Sequence, residues 1–273
     1  MKTILKKRYG QHFLRDTGVL DRILALIRPA PNDLMLEVGA GDGALATRLA
    51  PRVLRLIALE IDDDLVPALR EVLACCPNAV VVAGDVLSAD LSAIISPYLS
   101  PAARMRIVGN LPYNIGTAII EKLLSQSFSI VDMTFMLQLE TVERIAAAPQ
   151  SKEYGFFSVY CQHRCEIKRG FRVSPACFVP RPKVHSAMIT LRPRGGALDP
   201  DLESDFLMLT KAAFAYRRKK LVNSLRRDRH LGKTADDILR QAGMDGARRA
   251  EDVTVEEYEH LARIFREYKA TPK

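Results

Sequence analysis

The chain has 273 residues, 48% of them apolar, and a formal net charge of +8. That length allows one large domain and a small one, and that apolar content supports a buried core. No apolar run approaches the roughly 20 residues of a membrane span, and five cysteines without a C-x-x-C pair argue against a disulfide framework and for a reduced, cytoplasmic setting.

Residues 1–16 read as an arm. Asp16 then caps a helix whose Val19, Leu20, Ile23, Leu24 and Ile27 face the core. From 34 to 192, short apolar runs alternate with helical patterns, which implies a mostly parallel sheet with helices on both faces. The first run, 34–38, leads into Gly39-Ala40-Gly41-Asp42-Gly43 and a helical stretch over 44–49. Glycines at alternate positions let the backbone turn tightly and approach a ligand, with the next helix presenting free N–H groups. The dinucleotide fingerprint is G-x-G-x-x-G with an acidic residue about 20 positions on. Here the spacing is one residue shorter, Glu37 precedes it, and Glu60 closes the apolar run 54–59.

A third run, 79–82, ends at Gly84-Asp85-Val86, and a fourth, Met105 to Gly109, ends at Asn110-Leu111-Pro112-Tyr113. The last four residues suit a planar amino group. Asn110 offers a side-chain oxygen, Leu111 is held extended by the following proline with its carbonyl unpaired, and Tyr113 supplies a stacking ring. In an open α/β sheet, ligands bind beyond the carboxyl ends of the strands, where all four polar groups fall. Carboxylates beside the glycine loop repel a pyrophosphate and favour a ligand with a ribose, an amino group and positive charge. S-adenosylmethionine fits that description. Glu60 would take the ribose hydroxyls, Asp85 the adenine amino group, and Ile61 and Val86 the faces of the adenine.

Further strands are expected over 134–139, 166–173 and 184–192. Cys161, His163 and Cys165 lie close together, but their spacing fits no common zinc pattern and no metal site is expected. A turn-rich link from Arg192 to Pro200 marks a boundary, and every later segment is helical in pattern, giving a small all-α domain. Eight Lys or Arg and one Asp lie between Lys211 and His230, a net of +7 that is nearly the charge of the whole chain. Leu207, Phe214 and Leu221 recur every seven residues, so this segment reads as a basic helix with one apolar face. Arg217, Arg218, Lys219 and Lys220 on it form a phosphate-binding surface.

With these motifs the chain resembles the bacterial small-subunit ribosomal RNA adenine N6,N6-dimethyltransferases over nearly its whole length. The likeness is carried by Gly10-Gln11-His12-Phe13-Leu14, Leu36-Glu37-Val38-Gly39-Ala40-Gly41-Asp42-Gly43, Glu60, Gly84-Asp85-Val86 and Asn110-Leu111-Pro112-Tyr113. It continues through Phe178-Val179-Pro180-Arg181-Pro182-Lys183-Val184 with Ser186, and Arg217-Arg218-Lys219 followed by Asn223-Ser224-Leu225. Ala46 departs from it, standing where relatives often have Thr.

The resemblance implies a Rossmann-like class I methyltransferase domain over 17–194 after the arm, and a helical RNA-binding domain over 195–273. It implies Gln11, His12 and Leu14 at the cofactor together with Gly39, Gly41, Glu60, Ile61, Asp85, Val86 and Asn110. Catalysis would fall to Asn110, Leu111, Pro112, Tyr113 and Phe178, the two rings clamping a flipped adenine. The first fifteen residues are basic like a transit peptide, but the motif from Gln11 already lies among them, so they read as cofactor and RNA surface. The implied substrate is a pair of adjacent adenosines near the 3′ end of 16S ribosomal RNA in an immature 30S particle, each methylated twice by a monomeric enzyme linked to small-subunit biogenesis. The alternatives are a non-catalytic nucleic-acid-binding assembly or transcription factor on the same fold, a large-subunit rRNA adenine methyltransferase, and a nicotinamide oxidoreductase. Intact Glu60, Asp85 and Asn110 weigh against the first, the Arg-Arg-Lys segment against the second, and the glycine spacing against the third.

Overall fold

The computed structural model describes residues 11–100, 103–195, 199–216 and 218–270. Residues 1–10 of the expected arm and Arg217 lie outside them. The chain forms two compact units: one runs to Val142 and takes in Lys168–Pro193, the other comprises Glu143–Ile167 and the chain from Arg194. The segment Glu143–Ile167, read from the sequence with the larger domain, groups with the C-terminal helices. Its Tyr154 and Val159 are both fully buried in one apolar cluster with Phe206, Leu209 and Tyr258.

The first unit opens with β1 (Phe13–Leu14), α1 (Thr17–Ile27), β2 (Asp33–Val38), α2 (Ala46–Leu49) and β3 (Arg55–Glu60). It continues with α3 (Val66–Val72), β4 (Ala79–Ala83), α4 (Leu91–Ile95), β5 (Arg104–Asn110), α5 (Gly116–Leu124) and β6 (Asp132–Gln138). The chain then passes through α6 (Leu139–Ile145) and α7 (Phe156–Arg164), the latter within the second unit, and returns to the first with β7 (Cys165–Val173), β8 (Phe178–Val179) and β9 (Ser186–Pro193). Asp16 caps α1 as expected, accepting from the Val19 N–H at 2.9 Å.

Seven strands form one sheet in the order β4-β3-β2-β5-β6-β9-β7. β2 to β6 pair in parallel, while β9 runs antiparallel to β6. Every residue of β2 is buried, which is why this strand reads as a continuous apolar run and not as an alternation. Strand order reverses between β2 and β5, so the crevice for a ligand opens beyond their carboxyl ends. At the opposite ends, Arg106 of β5 binds Asp132 of β6 with two N–H groups at 2.8 and 2.9 Å and Asp33 of β2 at 2.8 Å. It also donates to the Ile27 carbonyl at 2.6 Å, tying three strands to the end of α1.

The stretch 11–16 is more than an arm. Phe13 and Leu14 pair antiparallel with Val179 and Phe178 in a separate two-stranded sheet, and the Arg15 N–H donates to the Cys177 carbonyl at 2.8 Å. Local periodicity carries no signal for so short a strand, whose partner lies far along the chain.

The second unit gathers α7, α8 (Pro200–Phe214), α9 (Leu221–Leu225), α10 (Ala235–Gln241) and α11 (Val255–Ala270) around a core of Phe206, Leu209, Leu221, Leu225, Ile238, Leu261 and Phe265. The expected basic helix is broken. α8 ends at Phe214, a turn closes with the Lys219 N–H on the Tyr216 carbonyl at 2.9 Å, and α9 starts only at Leu221. The heptad match of Leu207, Phe214 and Leu221 therefore spans two helices. The Leu221 and Val222 N–H groups bond instead to the Arg248 and Gly246 carbonyls.

Candidate active site

Beyond the carboxyl ends of β2, β3 and β5 lies a cavity within the first unit. Its walls include Gln11, His12, Leu14, Gly39, Gly41, Glu60, Ile61, Asn110, Leu111, Pro112 and Tyr113. Eleven of the residues expected at the site thus meet in one place.

Glycine is required at two positions beside the cavity. Gly41 has φ +59°, and a Cβ there would come within 3.1 Å of the Phe13 ring. Gly109, just before the loop, lets β5 lie close against β2, since a Cβ would sit 2.5 Å from the Val38 carbonyl oxygen.

The acidic side of the cavity is crowded. Glu60 is buried, with one oxygen accepting from the Gly41 N–H at 2.7 Å and the other from the Asp62 N–H at 2.9 Å. Burial raises its carboxyl above the usual range against the downward pull of those two bonds. Each oxygen keeps a further lone pair, so the carboxylate remains an acceptor for hydroxyl groups. Glu37 is 3% exposed, and its Oε2 has no hydrogen-bond partner among the described residues. Burial, and then the charges of Glu60 and Asp42, push its carboxyl up to about 8. Asp42 pairs with Arg15 at 2.6 Å at the rim. A carboxyl with one unpartnered oxygen beside two others suits a ligand that brings N–H donors and positive charge, which would favour its ionised form.

The other side is built around His12. The Asn110 Nδ2 donates to the His12 carbonyl at 2.9 Å across 98 residues of sequence, which orients the amide and leaves Oδ1 as its acceptor. The His12 Nδ1 lies 2.7 Å from the Pro180 carbonyl oxygen, which can only accept, so Nδ1 carries the ring proton. The imidazole stacks on the Tyr113 ring at 5.4 Å between centroids, and the Tyr113 hydroxyl meets the Ser186 hydroxyl at 2.6 Å. The Leu111 N–H is taken by the Met136 carbonyl at 3.1 Å, whereas no donor among the described residues occupies its own carbonyl.

Three expected residues stand elsewhere. Phe178 is 2% exposed, belongs to the core cluster with Leu14 and Ile23, and is not among the residues that line the cavity. Pairing with Leu14 turns it inward. Asp85 and Val86 lie outside the cavity lining. Asp85 spends one oxygen on the Leu87 N–H at 2.9 Å, and Val86 is buried. Both nevertheless follow β4 directly, and the Gly84 N–H bonds to the Glu60 carbonyl at 2.8 Å, which brings this loop alongside Glu60.

Sequence reasoning missed the His12–Tyr113 stack, the Tyr113–Ser186 hydroxyl pair and the floor of Thr134, Met136 and Met188. His12 and Ser186 stood inside recognised motifs, but nothing local announced their partners. The floor residues looked like ordinary strand core.

Among the described residues, no group of three or more His, Cys, Asp or Glu is placed to hold a metal ion. His163 instead sits between Glu259 and Glu203 at 2.8 and 3.0 Å. Burial opposes its proton, but hydrogen bonds and charge from Glu203 and Glu259 prevail and raise its pKa. In the second unit Arg218, Lys219 and Lys220 are exposed, whereas Arg226 is taken up by Asp236 at 2.6 Å.

The seven-stranded sheet, the glycine turn at its switch point and the acidic end of β3 define a Rossmann-like methyltransferase. The chain belongs to the ribosomal RNA adenine dimethylase family, whose model matches residues 3–267. It is 41% identical over 261 residues to a ribosomal RNA small subunit methyltransferase A of Chromohalobacter salexigens, covering 94% of this chain and 90% of that one. It is 42% identical to the protein of that name from Methylibium petroleiphilum, covering 96% and 97%. Its fold is similar to a dimethyladenosine transferase from Plasmodium falciparum, with a TM-score of 0.82, 22% identity and 94% and 98% coverage. It is also similar to the 23S rRNA methyltransferase ErmE, with a TM-score of 0.69, 28% identity and 92% and 98% coverage.

Proposed function

We propose that the cavity holds S-adenosylmethionine and that the loop from Asn110 to Tyr113 presents to it the N6 amine of an adenosine in small-subunit ribosomal RNA. The enzyme is an S-adenosylmethionine-dependent rRNA adenine dimethyltransferase that produces N6,N6-dimethyladenosine. Two adjacent adenosines near the 3′ end of 16S RNA, within an immature 30S particle in the cytoplasm, are the proposed target of a monomeric enzyme. The relatives at about 40% identity carry the small-subunit name, which favours this RNA over the large-subunit RNA named for ErmE.

The donor set fits the cofactor. Glu60 retains acceptor capacity for ribose hydroxyls, and the Glu37 carboxyl with its unpartnered oxygen favours a cationic neighbour. Gln11, His12, Leu14, Gly39, Gly41, Ile61 and Asn110 complete the walls, with Asp85 and Val86 assigned to the adenine end beside Glu60. When bound, S-adenosylmethionine supplies an electrophilic methyl group.

The protein's part is orientation and electrostatics. An exocyclic adenine amine is a poor nucleophile because its lone pair is delocalised into the ring. Acceptors at Asn110 Oδ1 and the Leu111 carbonyl draw on its two N–H bonds and favour a more tetrahedral nitrogen, while Pro112 fixes the loop. Tyr113, propped by His12 and pinned by Ser186, stacks on one face of the base. The methylated nitrogen is strongly acidic, so water takes its proton and neither His12, His163 nor His185 acts as a base. The exposed cations Arg218, Lys219 and Lys220, with Arg217, dock the RNA backbone.

The observation that carries this reading is the anchored Asn110 amide beside an unoccupied Leu111 carbonyl. Asn110→Ala tests it. Methyl transfer in single turnover should be largely abolished while RNA affinity stays near wild type. A normal rate would place the amine pocket elsewhere.

A further inference from the structure

Seven large apolar side chains are well exposed among the described residues, and Tyr216 is the single aromatic one, at 43% exposure. It stands just beyond the end of α8 at Phe214, where its carbonyl opens the basic turn. The Lys219 N–H on its carbonyl fixes its backbone, and the Arg227 guanidinium lies over its ring at 5.1 Å from the centroid. Arg218, Lys219 and Lys220 follow it, all exposed. Lys220 is itself held by a bridge to Arg249, so the turn is braced on both sides of its cations.

An exposed aromatic ring backed by a guanidinium and set among unpaired cations has the chemistry that grips a single strand of nucleic acid. The cations follow the phosphates, and the free ring face takes a base. A rigid duplex keeps its bases stacked on each other and offers no free base face to such a ring. Burial gives no competing reason for a tyrosine here, since Tyr216 is not among the residues of the second unit's apolar core.

We propose that Tyr216 is a stacking platform for an unpaired RNA base, held in place by Arg227 and flanked by the cations that bind the adjoining phosphates. The inference rests on the proposed RNA docking of the basic segment and adds to it a preference for unpaired strand.

Binding of full-length wild type, Tyr216→Ala, Tyr216→Leu and Tyr216→Phe to a short oligoadenylate and to an RNA duplex of equal length, over a range of salt, tests both. Loss of one base stack should weaken oligoadenylate binding about tenfold in the Ala and Leu variants. Tyr216→Phe should stay near wild type, and duplex binding and the salt slope should not change. If wild type binds both RNAs with a steep salt slope but Tyr216→Ala and Tyr216→Leu bind oligoadenylate normally, the platform is wrong and the basic surface stands. Equal losses on both RNAs would also overturn it, because the ring would then merely support the cations. If wild type binds neither RNA, the docking surface fails and the platform with it.

Discussion

Glu37 offers a quantitative test of the acidic cavity. Its carboxyl, 3% exposed and pushed up to about 8, is about nine-tenths protonated at pH 7, whereas in the unfolded chain it ionises near the ordinary glutamate value of 4.5. Between those two values the native state holds a proton that the unfolded chain has released. The group's contribution to stability is therefore complete below the window and is lost as pH rises through it, by up to about 1.4 kcal/mol per pH unit. Glu37→Gln is neutral at every pH and escapes that loss. Urea unfolding of both proteins from about pH 5 to about pH 9 should show the variant gaining on wild type up to about pH 8 and then running level. Glu60 is raised in the same sense and its charge acts on Glu37, so the difference between the two proteins reports Glu37 together with its coupling to Glu60. A cationic ligand beside Glu37 should also expel its proton. Calorimetry of S-adenosylmethionine binding at pH 7, in buffers of different ionisation enthalpy, should report up to about nine-tenths of a proton more released by wild type than by Glu37→Gln. Parallel unfolding curves together with equal proton release would refute the reasoning.

Three further outcomes follow from the same geometry. Glu60→Ala should weaken S-adenosylmethionine binding by roughly 1.5–3 kcal/mol in calorimetry, as hydroxyl groups lose a charged acceptor; unchanged affinity would remove Glu60 from the site. Neutralising Arg217, Arg218, Lys219 and Lys220 together should weaken binding to RNA of any sequence and spare the cofactor. The slope of log affinity against log salt should shallow by roughly 0.7–0.9 per lost phosphate contact, with the melting temperature measured alongside to show that the unit still folds. Arg106→Met should cost about 3–5 kcal/mol in chemical denaturation, because Asp33 and Asp132 are left buried and uncompensated; a loss near zero would mean those carboxylates find other partners.

What the sequence made legible was whatever is written locally. Apolar runs gave the strands, and the polar residues at their ends gave Glu37, Gly41, Glu60 and Asn110, because the parallel sheet places all such ends on one edge. Contacts between distant segments were not legible. The pairing of Leu14 with Phe178, which turns that ring into the core, depends on two short stretches with no periodicity of their own. The anchoring of Asn110 by the His12 carbonyl is equally remote. The break after Phe214 was not legible because two helices carry apolar residues in a common seven-residue spacing, while the first N–H groups of the second bond to the Arg248 and Gly246 carbonyls. Tyr154 and Val159 joined the C-terminal helices through packing that no single-segment pattern encodes.

Methyl transfer to the natural RNA tests the account most directly. The purified chain, given labelled S-adenosylmethionine and under-methylated small ribosomal subunits, should place label on N6 of two adjacent adenosines near the 3′ end of 16S RNA and bring each to the dimethyl form. Label on large-subunit RNA instead, or none on any adenine under conditions where the cofactor binds, would contradict it.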